Sequence, residues 1–285
     1  INDAVGGVAL YDRHRPKYPM LLLMGCPRSG TTLFMQWLSS LGVFGYPSNL
    51  IARFYANPAL GCEIQKVLFD LDKENQFLGK KTAGGFESSL GRTQGALEPS
   101  EFWYFWRRYF NFKDIHSLSE EEVRKIDRKQ LLRELGAMEA SMEKPLAMKW
   151  HMPFLAELDT NIIFVRIRRD IKSIIRSILK SRVKYAGGRE TWWSFKPPSY
   201  DAIKDLDPIE QVVAQVASIE RCVSCSMNQL EAKWKLEFSY EDFCCSPSAV
   251  YQEISERYRS HGVQDKADEL KISKYIERYN IDNAN

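Results

Sequence analysis

Apolar positions fall into two rhythms along the chain, short uninterrupted runs and stripes at helical spacing. Met20-Leu21-Leu22-Leu23-Met24 is a run of strand length that stops at Gly25, the pattern of a strand buried on both faces. It leads through Cys26-Pro27-Arg28-Ser29-Gly30 into residues 31–41, where Leu33, Phe34, Trp37, Leu38 and Leu41 recur at helical spacing before Gly42. A helix with one buried face and a glycine C-cap is predicted there. Residues 146–150 and 161–167 are two more apolar runs, and the second precedes a helix carrying Ile171, Ile174, Ile175, Ile178 and Leu179 on one face. The other face of that helix is basic and hydroxylated. A last strand is expected at residues 236–240 and a helix from Ser248 to about Tyr258, entered through Pro247. Strands alternating with helices predict an α/β fold around a parallel sheet, and no repeat period divides the chain, so residues 1–285 are expected to form one domain.

Two segments break the rhythm with large aromatic residues, and both are expected to be insertions, at about residues 85–125 and 185–205. The first contains Phe102, Trp103 and Trp106, with Glu98 and Glu101 beside them; the second contains Trp192 and Trp193 after Gly187-Gly188. Such side chains make either a satellite core under loops or a wall for a flat apolar or sugar face.

Composition narrows the partners. Hydrophobic residues make up 44% of 285, ample for a packed core. Lys and Arg number 40 against 37 Asp and Glu, a net charge of +3, so a polybasic nucleic-acid binder is excluded and any anion site must be local. The longest apolar run, residues 20–24, is far short of the roughly 20 residues that span a bilayer. The chain opens at Ile1 without a methionine, which leaves room for an upstream anchor or domain. The expected location is cytoplasmic, with the lumenal part of a membrane-anchored enzyme as the alternative. Six cysteines are too few and too irregularly spaced for a secreted disulfide framework. Cys222, Cys225, Cys244 and Cys245 invite a zinc reading, but two are adjacent and no histidine is near them in sequence, so no metal is expected.

Gly25-Cys26-Pro27-Arg28-Ser29-Gly30-Thr31-Thr32 has the glycine spacing of a phosphate-binding loop and lies between a predicted strand and a helix N-terminus. Converging backbone N–H groups and the positive end of the helix dipole suit an anion at that point. In a P-loop nucleotidase the residue after the second glycine is lysine, and an aspartate beyond another strand holds magnesium. Here Thr31 takes the lysine position, and residues 161–167 run into Arg168 and Arg169 before Asp170. Arg28 supplies the positive charge instead. A cradle of arginine, hydroxyls and backbone suits a transferred group of lower charge than a γ-phosphate, such as a sulfuryl group. A P-loop kinase and a non-catalytic anion-binding module remain as alternatives.

These residues, continued to Leu33, resemble the 5′-phosphosulfate loop of the sulfotransferases that use 3′-phosphoadenosine-5′-phosphosulfate (PAPS). Arg169 with Ser177 eight residues later is similar to the family's second motif, although Ile171 stands where many relatives have proline. Lys149-Trp150-His151-Met152-Pro153 is similar to a Lys-Thr-His-Leu-Pro segment of the cytosolic members, and Ser239-Tyr240-Glu241-Asp242-Phe243 to a late Tyr-Glu-Asp segment. The resemblance runs from about residue 20 to 255. It implies a P-loop-like three-layer α/β fold and metal-independent transfer of a sulfuryl group from PAPS to a small or medium hydroxyl acceptor. By it Pro27, Arg28, Ser29, Gly30, Thr31 and Thr32 hold the phosphosulfate, Arg169 and Ser177 the 3′-phosphate, and Tyr240 lies near the nucleotide. His151 becomes the base, with Lys149 and Arg28 stabilising charge; Glu98 and Glu101 are rival bases, because some relatives with a loop arginine use a glutamate. Phe102, Trp103, Trp106, Trp192 and Trp193 are expected to line the acceptor site. The late Arg-Lys-Gly segment and the C-terminal dimer motif of cytosolic members are not found, which marks a divergent, bacterial-type member and leaves the oligomeric state open.

Overall fold

A computed structural model describes residues 15–74, 76, 78, 88–89, 91–110, 120–149, 161–194, 196–197 and 199–263. Four strands, Met20–Met24 (β1), Ala147–Lys149 (β2), Ile162–Arg168 (β3) and Lys235–Ser239 (β4), form a parallel sheet in the order β2-β1-β3-β4. Leu22 stands in register with Met148 on one side and Phe164 on the other. All five residues of β1 are buried, as the uninterrupted apolar run requires of a central strand covered on both faces.

Period-two alternation divides the strand residues between two cores. Met20, Leu22 and Met24 pack with Met148, Ile162 and Phe164 against helices Trp103–Tyr109 (α3), Arg128–Met142 (α4) and Pro208–Gln229 (α6). Leu21 and Leu23 pack with Ile163, Val165 and Phe238 against Thr31–Ser40 (α1), Tyr240–Cys245 (α7) and Pro247–Ser260 (α8). The result is three layers, helix, sheet and helix. Pro58–Leu71 (α2) lies against α4, and Ile171–Ala186 (α5) against α6. A smaller cluster of Cys26, Ile174, Ile178, Val212 and Val216 fastens the loop after β1 to α5 and α6.

The sequence reading of the first strand, loop and helix holds, as does that of β3 and α5. The end of β4 differs. Tyr240, read as a strand residue, opens α7, because the Ser239 hydroxyl accepts the backbone N–H of Asp242 and Glu241 and Asp242 occupy the first turn. Neither aromatic segment contributes a strand to the sheet among the described residues. No helix among the described residues is long and apolar enough to cross a membrane.

Candidate functional site

The site is assembled at the C-terminal ends of β1, β2 and β3, where parallel sheets place their ligands. After β1 the backbone turns at Cys26–Ser29, with the Ser29 N–H bonded to the Cys26 carbonyl at 3.0 Å. Arg28 (φ 71°) and Gly30 (φ 101°) both adopt left-handed backbone. Glycine is needed at residue 30 on two counts, its φ and the Tyr240 ring, which a Cβ there would overlap. Gly25 is held equally close, since a Cβ would come within 2.6 Å of Ser29 Oγ and 2.8 Å of the Ile167 carbonyl. No side chain caps α1, so its first turn presents uncapped N–H groups and the positive dipole end to the space above the loop.

Arg28, the pair Arg169 and Ser177, and Tyr240, three places far apart in sequence, meet there. Arg28 Nε donates to Ser177 Oγ at 2.9 Å, and Arg169 Nη1 donates to the Arg28 carbonyl at 3.2 Å. The Arg169 guanidinium lies 4.1 Å from the centre of the Tyr240 ring, a cation–π contact that fixes its plane. Asp170 caps α5 by accepting the Ser173 N–H at 2.8 Å, a bond that lowers its pKa, and so orients the helix that carries Ser177. Ile171, at the proline position of the related motif, is the first residue of α5, where proline is also accommodated. Arg166 faces elsewhere and pairs with Glu220 at 2.5 Å and Glu237 at 3.4 Å, tying β3 to α6 and β4.

The electrostatics call for an anion. Burial, and secondarily the charge of Arg169, lower the Arg28 pKa, and neither guanidinium has a carboxylate in hydrogen-bond contact among the described residues. Ser29 Oγ and Arg169 Nε are buried without a partner among those residues. A bound oxyanion relieves both the repulsion and the unsatisfied groups.

Lys149 closes the other side. It is 3% exposed at the end of β2, and its ammonium donates to Thr32 Oγ1 at 2.8 Å and Glu101 Oε1 at 3.3 Å. Burial lowers its pKa, with Glu101 acting in the opposite direction. Glu101 Oε2 in turn accepts Trp103 Nε1 at 2.6 Å. These groups border a cavity of about 560 Å³ whose wall includes Arg28, Thr32, Glu101, Trp103, Lys149 and Trp193. A second space of about 680 Å³ adjoins it and shares Asn49, Thr93, Ser100 and Trp103 with the first.

The two glutamates named from sequence separate cleanly. Glu101 lines the cavity, whereas Glu98 accepts a 2.6 Å hydrogen bond from Gln36 Nε2 of α1 and does not line either cavity. The aromatic residues divide as well. Trp103 and Trp193 border the first cavity, and Phe102 borders the second. Trp106 is 2% exposed in the core beneath α3, and Trp192 packs edge-on against Tyr200; neither lines either cavity. Packing places Trp106 there, since it is buried on α3 together with Phe105. His151 lies outside the described residues.

The hairpin Ser88–Ser89/Arg92–Thr93 leaves no pattern in the sequence, because its strands are only two residues long. Its Gly91 approaches the loop, and a Cβ there would lie 3.1 Å from Arg28 Nη1 and 3.5 Å from Thr32 Oγ1. The cysteines are all free thiols, with Cys222 and Cys225 on α6. Among the described residues no group of three or more His, Cys, Asp or Glu is placed to hold a metal.

Comparison with known proteins gives this geometry a family. Two solved structures share the fold. Sulfotransferase STF1 from Mycobacterium tuberculosis is 14% identical with a TM-score of 0.53, covering 91% of this chain and 71% of its own. Sulfotransferase STF9 from Mycobacterium avium is 13% identical with a TM-score of 0.50, covering 88% and 70%. At such identities the likeness is one of fold alone. No curated protein sequence matches the chain. The model described as "Sulfotransferase family" matches residues 19–259, from the start of β1 to the end of α8, and the chain therefore belongs to the sulfotransferase family.

Proposed function

We propose that the protein transfers a sulfuryl group from PAPS to the hydroxyl of a small or medium acceptor with an apolar or sugar-like face, without a metal. The observation that carries this is the convergence of Arg28 and Arg169 with Ser177, Tyr240 and the uncapped start of α1, with no carboxylate bonded to either guanidinium among the described residues. The unpartnered Ser29 Oγ and Arg169 Nε fit a polyanionic nucleotide. When bound, the donor supplies a sulfuryl group activated by its link to the 5′-phosphate. Loop N–H groups, Ser29 and Thr31 hold the phosphosulfate; Arg169 and Ser177 hold the 3′-phosphate. His151 takes the acceptor proton as the acceptor oxygen bonds to sulfur and the bond from sulfur to the phosphate oxygen breaks. Lys149 and Arg28 stabilise the charge left on that oxygen. Lys149 thus does locally what magnesium does in a nucleotide kinase.

Binding of nucleotides tests the donor assignment. Arg169→Ala is expected to weaken 3′-phosphoadenosine 5′-phosphate (PAP) by about 1.5–3 kcal/mol, the net value of a charge-assisted hydrogen bond, and to leave 5′-AMP almost unchanged. Equal losses for both nucleotides, measured by titration calorimetry, overturn the assignment of Arg169 to the 3′-phosphate.

The acceptor reading rests on Trp103 and Trp193 at the first cavity and on the adjoining space beyond Trp103. Aromatic rings bind flat apolar and sugar faces. Trp103→Ala is expected to raise the acceptor KM and to leave PAP affinity intact. An unaltered KM in a variant that melts like the parent removes Trp103 from the acceptor wall.

A further inference from the structure

Arg92 is a cation that the sequence did not single out and that the roles above do not use. It follows Gly91 on the hairpin Ser88–Ser89/Arg92–Thr93 and lines the same cavity as Arg28 and Lys149. Two contacts fix the hairpin. On one side Gly91 abuts Arg28 and Thr32 of the phosphate loop. On the other, Tyr185 of α5 donates its hydroxyl to the Ser89 carbonyl at 2.8 Å, and Lys184 donates to Ser89 Oγ at 2.9 Å. The Arg92 guanidinium lies 4.8 Å from the centre of the Tyr185 ring. Stacking of this kind restrains the plane of a guanidinium while leaving its N–H edge free to donate.

The charge inventory of the cavity makes Arg92 more than a solvated arginine. Among the described residues three cations, Arg28, Arg92 and Lys149, border it against one carboxylate, Glu101, and that carboxylate is engaged by Lys149 and Trp103. Against a net charge of +3 for the protein, the described residues of this cavity wall alone carry a surplus of two positive charges. Arg28 is bonded to Ser177 and Lys149 to Thr32 and Glu101, whereas Arg92 has no hydrogen-bond or carboxylate partner among the described residues. We propose that Arg92 is a further anion-binding side chain of the donor site, one that donates to phosphate or phosphosulfate oxygens held by the loop. It rests on the donor reading given above, and it assigns to the hairpin a part of nucleotide binding that no recognised motif of the sequence supplies.

The test is calorimetric titration of PAP in EDTA into the parent protein, Arg92→Gln and Arg92→Lys, with the melting temperature of each unliganded protein as a control. Arg92→Gln should weaken PAP by about 10- to 100-fold, the range of a lost charge-assisted hydrogen bond, and flatten the salt dependence of binding. Arg92→Lys should fall between the two, since it keeps the charge and loses the planar fork. The unliganded melting temperature should not move, because Arg92 is exposed. PAP affinity within about twofold of the parent in Arg92→Gln overturns the proposal and returns Arg92 to the solvent. Unchanged PAP affinity with a raised acceptor KM overturns it too, by moving Arg92 to the acceptor. If the parent itself fails to bind PAP, the donor reading fails first, and that result is distinguishable from a failure of Arg92 alone.

Discussion

Replacing His151 with alanine should lower kcat by about 10²–10⁴ while PAP affinity changes little, the signature of a lost general base. Lys149, two residues earlier in the chain, borders the cavity with Thr32 and Glu101. A histidine accepts the hydroxyl proton only in its neutral form, so activity should fall on the acid side of the profile. Glu98 is committed to Gln36, while Glu101 faces the cavity with its oxygens on Lys149 and Trp103. A His151→Ala variant that keeps kcat within about threefold of the parent transfers the role to Glu101, and Glu101→Gln should then carry the loss.

Lys149→Met should lower kcat by about 10²–10³, the scale of one preorganised donor at a developing negative charge, without lowering stability. Burial is the largest influence on the Lys149 pKa and depresses it, Glu101 opposes this, and Arg28 adds to the depression. The ammonium therefore loses its proton below the ordinary lysine value of 10.5, and the alkaline limb of kcat/KM should begin below that value. Glu101→Gln removes the opposing influence and should move the limb further down. The sign for folding follows. With a folded pKa below the unfolded one, the buried ammonium costs stability at neutral pH. That cost disappears as pH rises from the folded toward the unfolded value. An apolar side chain of similar length carries no such cost but leaves the part-exposed Glu101 without its ammonium partner, so the two effects offset and the melting temperature should change little. A variant that loses both activity and stability would make Lys149 a structural residue instead.

Legibility in the sequence tracked the strength of local signals. The run 20–24, the glycine-bounded loop and the stripe from Leu33 to Leu41 marked strand, loop and helix because a strand covered on both faces must be apolar throughout. Arg169 and Ser177 were legible as a pair through the resemblance to the family's second motif, with which the basic face of the helix after residues 161–167 agrees. Trp103 and Trp106 could not be told apart, since residues three apart on a helix point in similar directions; only packing decides that the first borders a cavity and the second fills a core. The same holds for Glu98 and Glu101, separated by Gln36 on one side and Lys149 on the other. The Ser239 cap was written in Ser239-x-x-Asp242, a signature obscured because Tyr240 continues the alternation of Leu236 and Phe238. Arg92 left no signal at all, because its place depends on a hairpin docked to both the loop and Tyr185.

The most direct measurement is the fate of the donor. The protein is incubated in EDTA with PAPS and a panel of aryl, alkyl and sugar alcohols, and PAP and sulfated product are followed by mass spectrometry beside a parallel incubation with ATP and magnesium. PAP and a sulfated alcohol appearing in equal amounts, without metal and without turnover of ATP, is the predicted result; phosphorylated product from ATP that requires magnesium, with PAPS left intact, would contradict it.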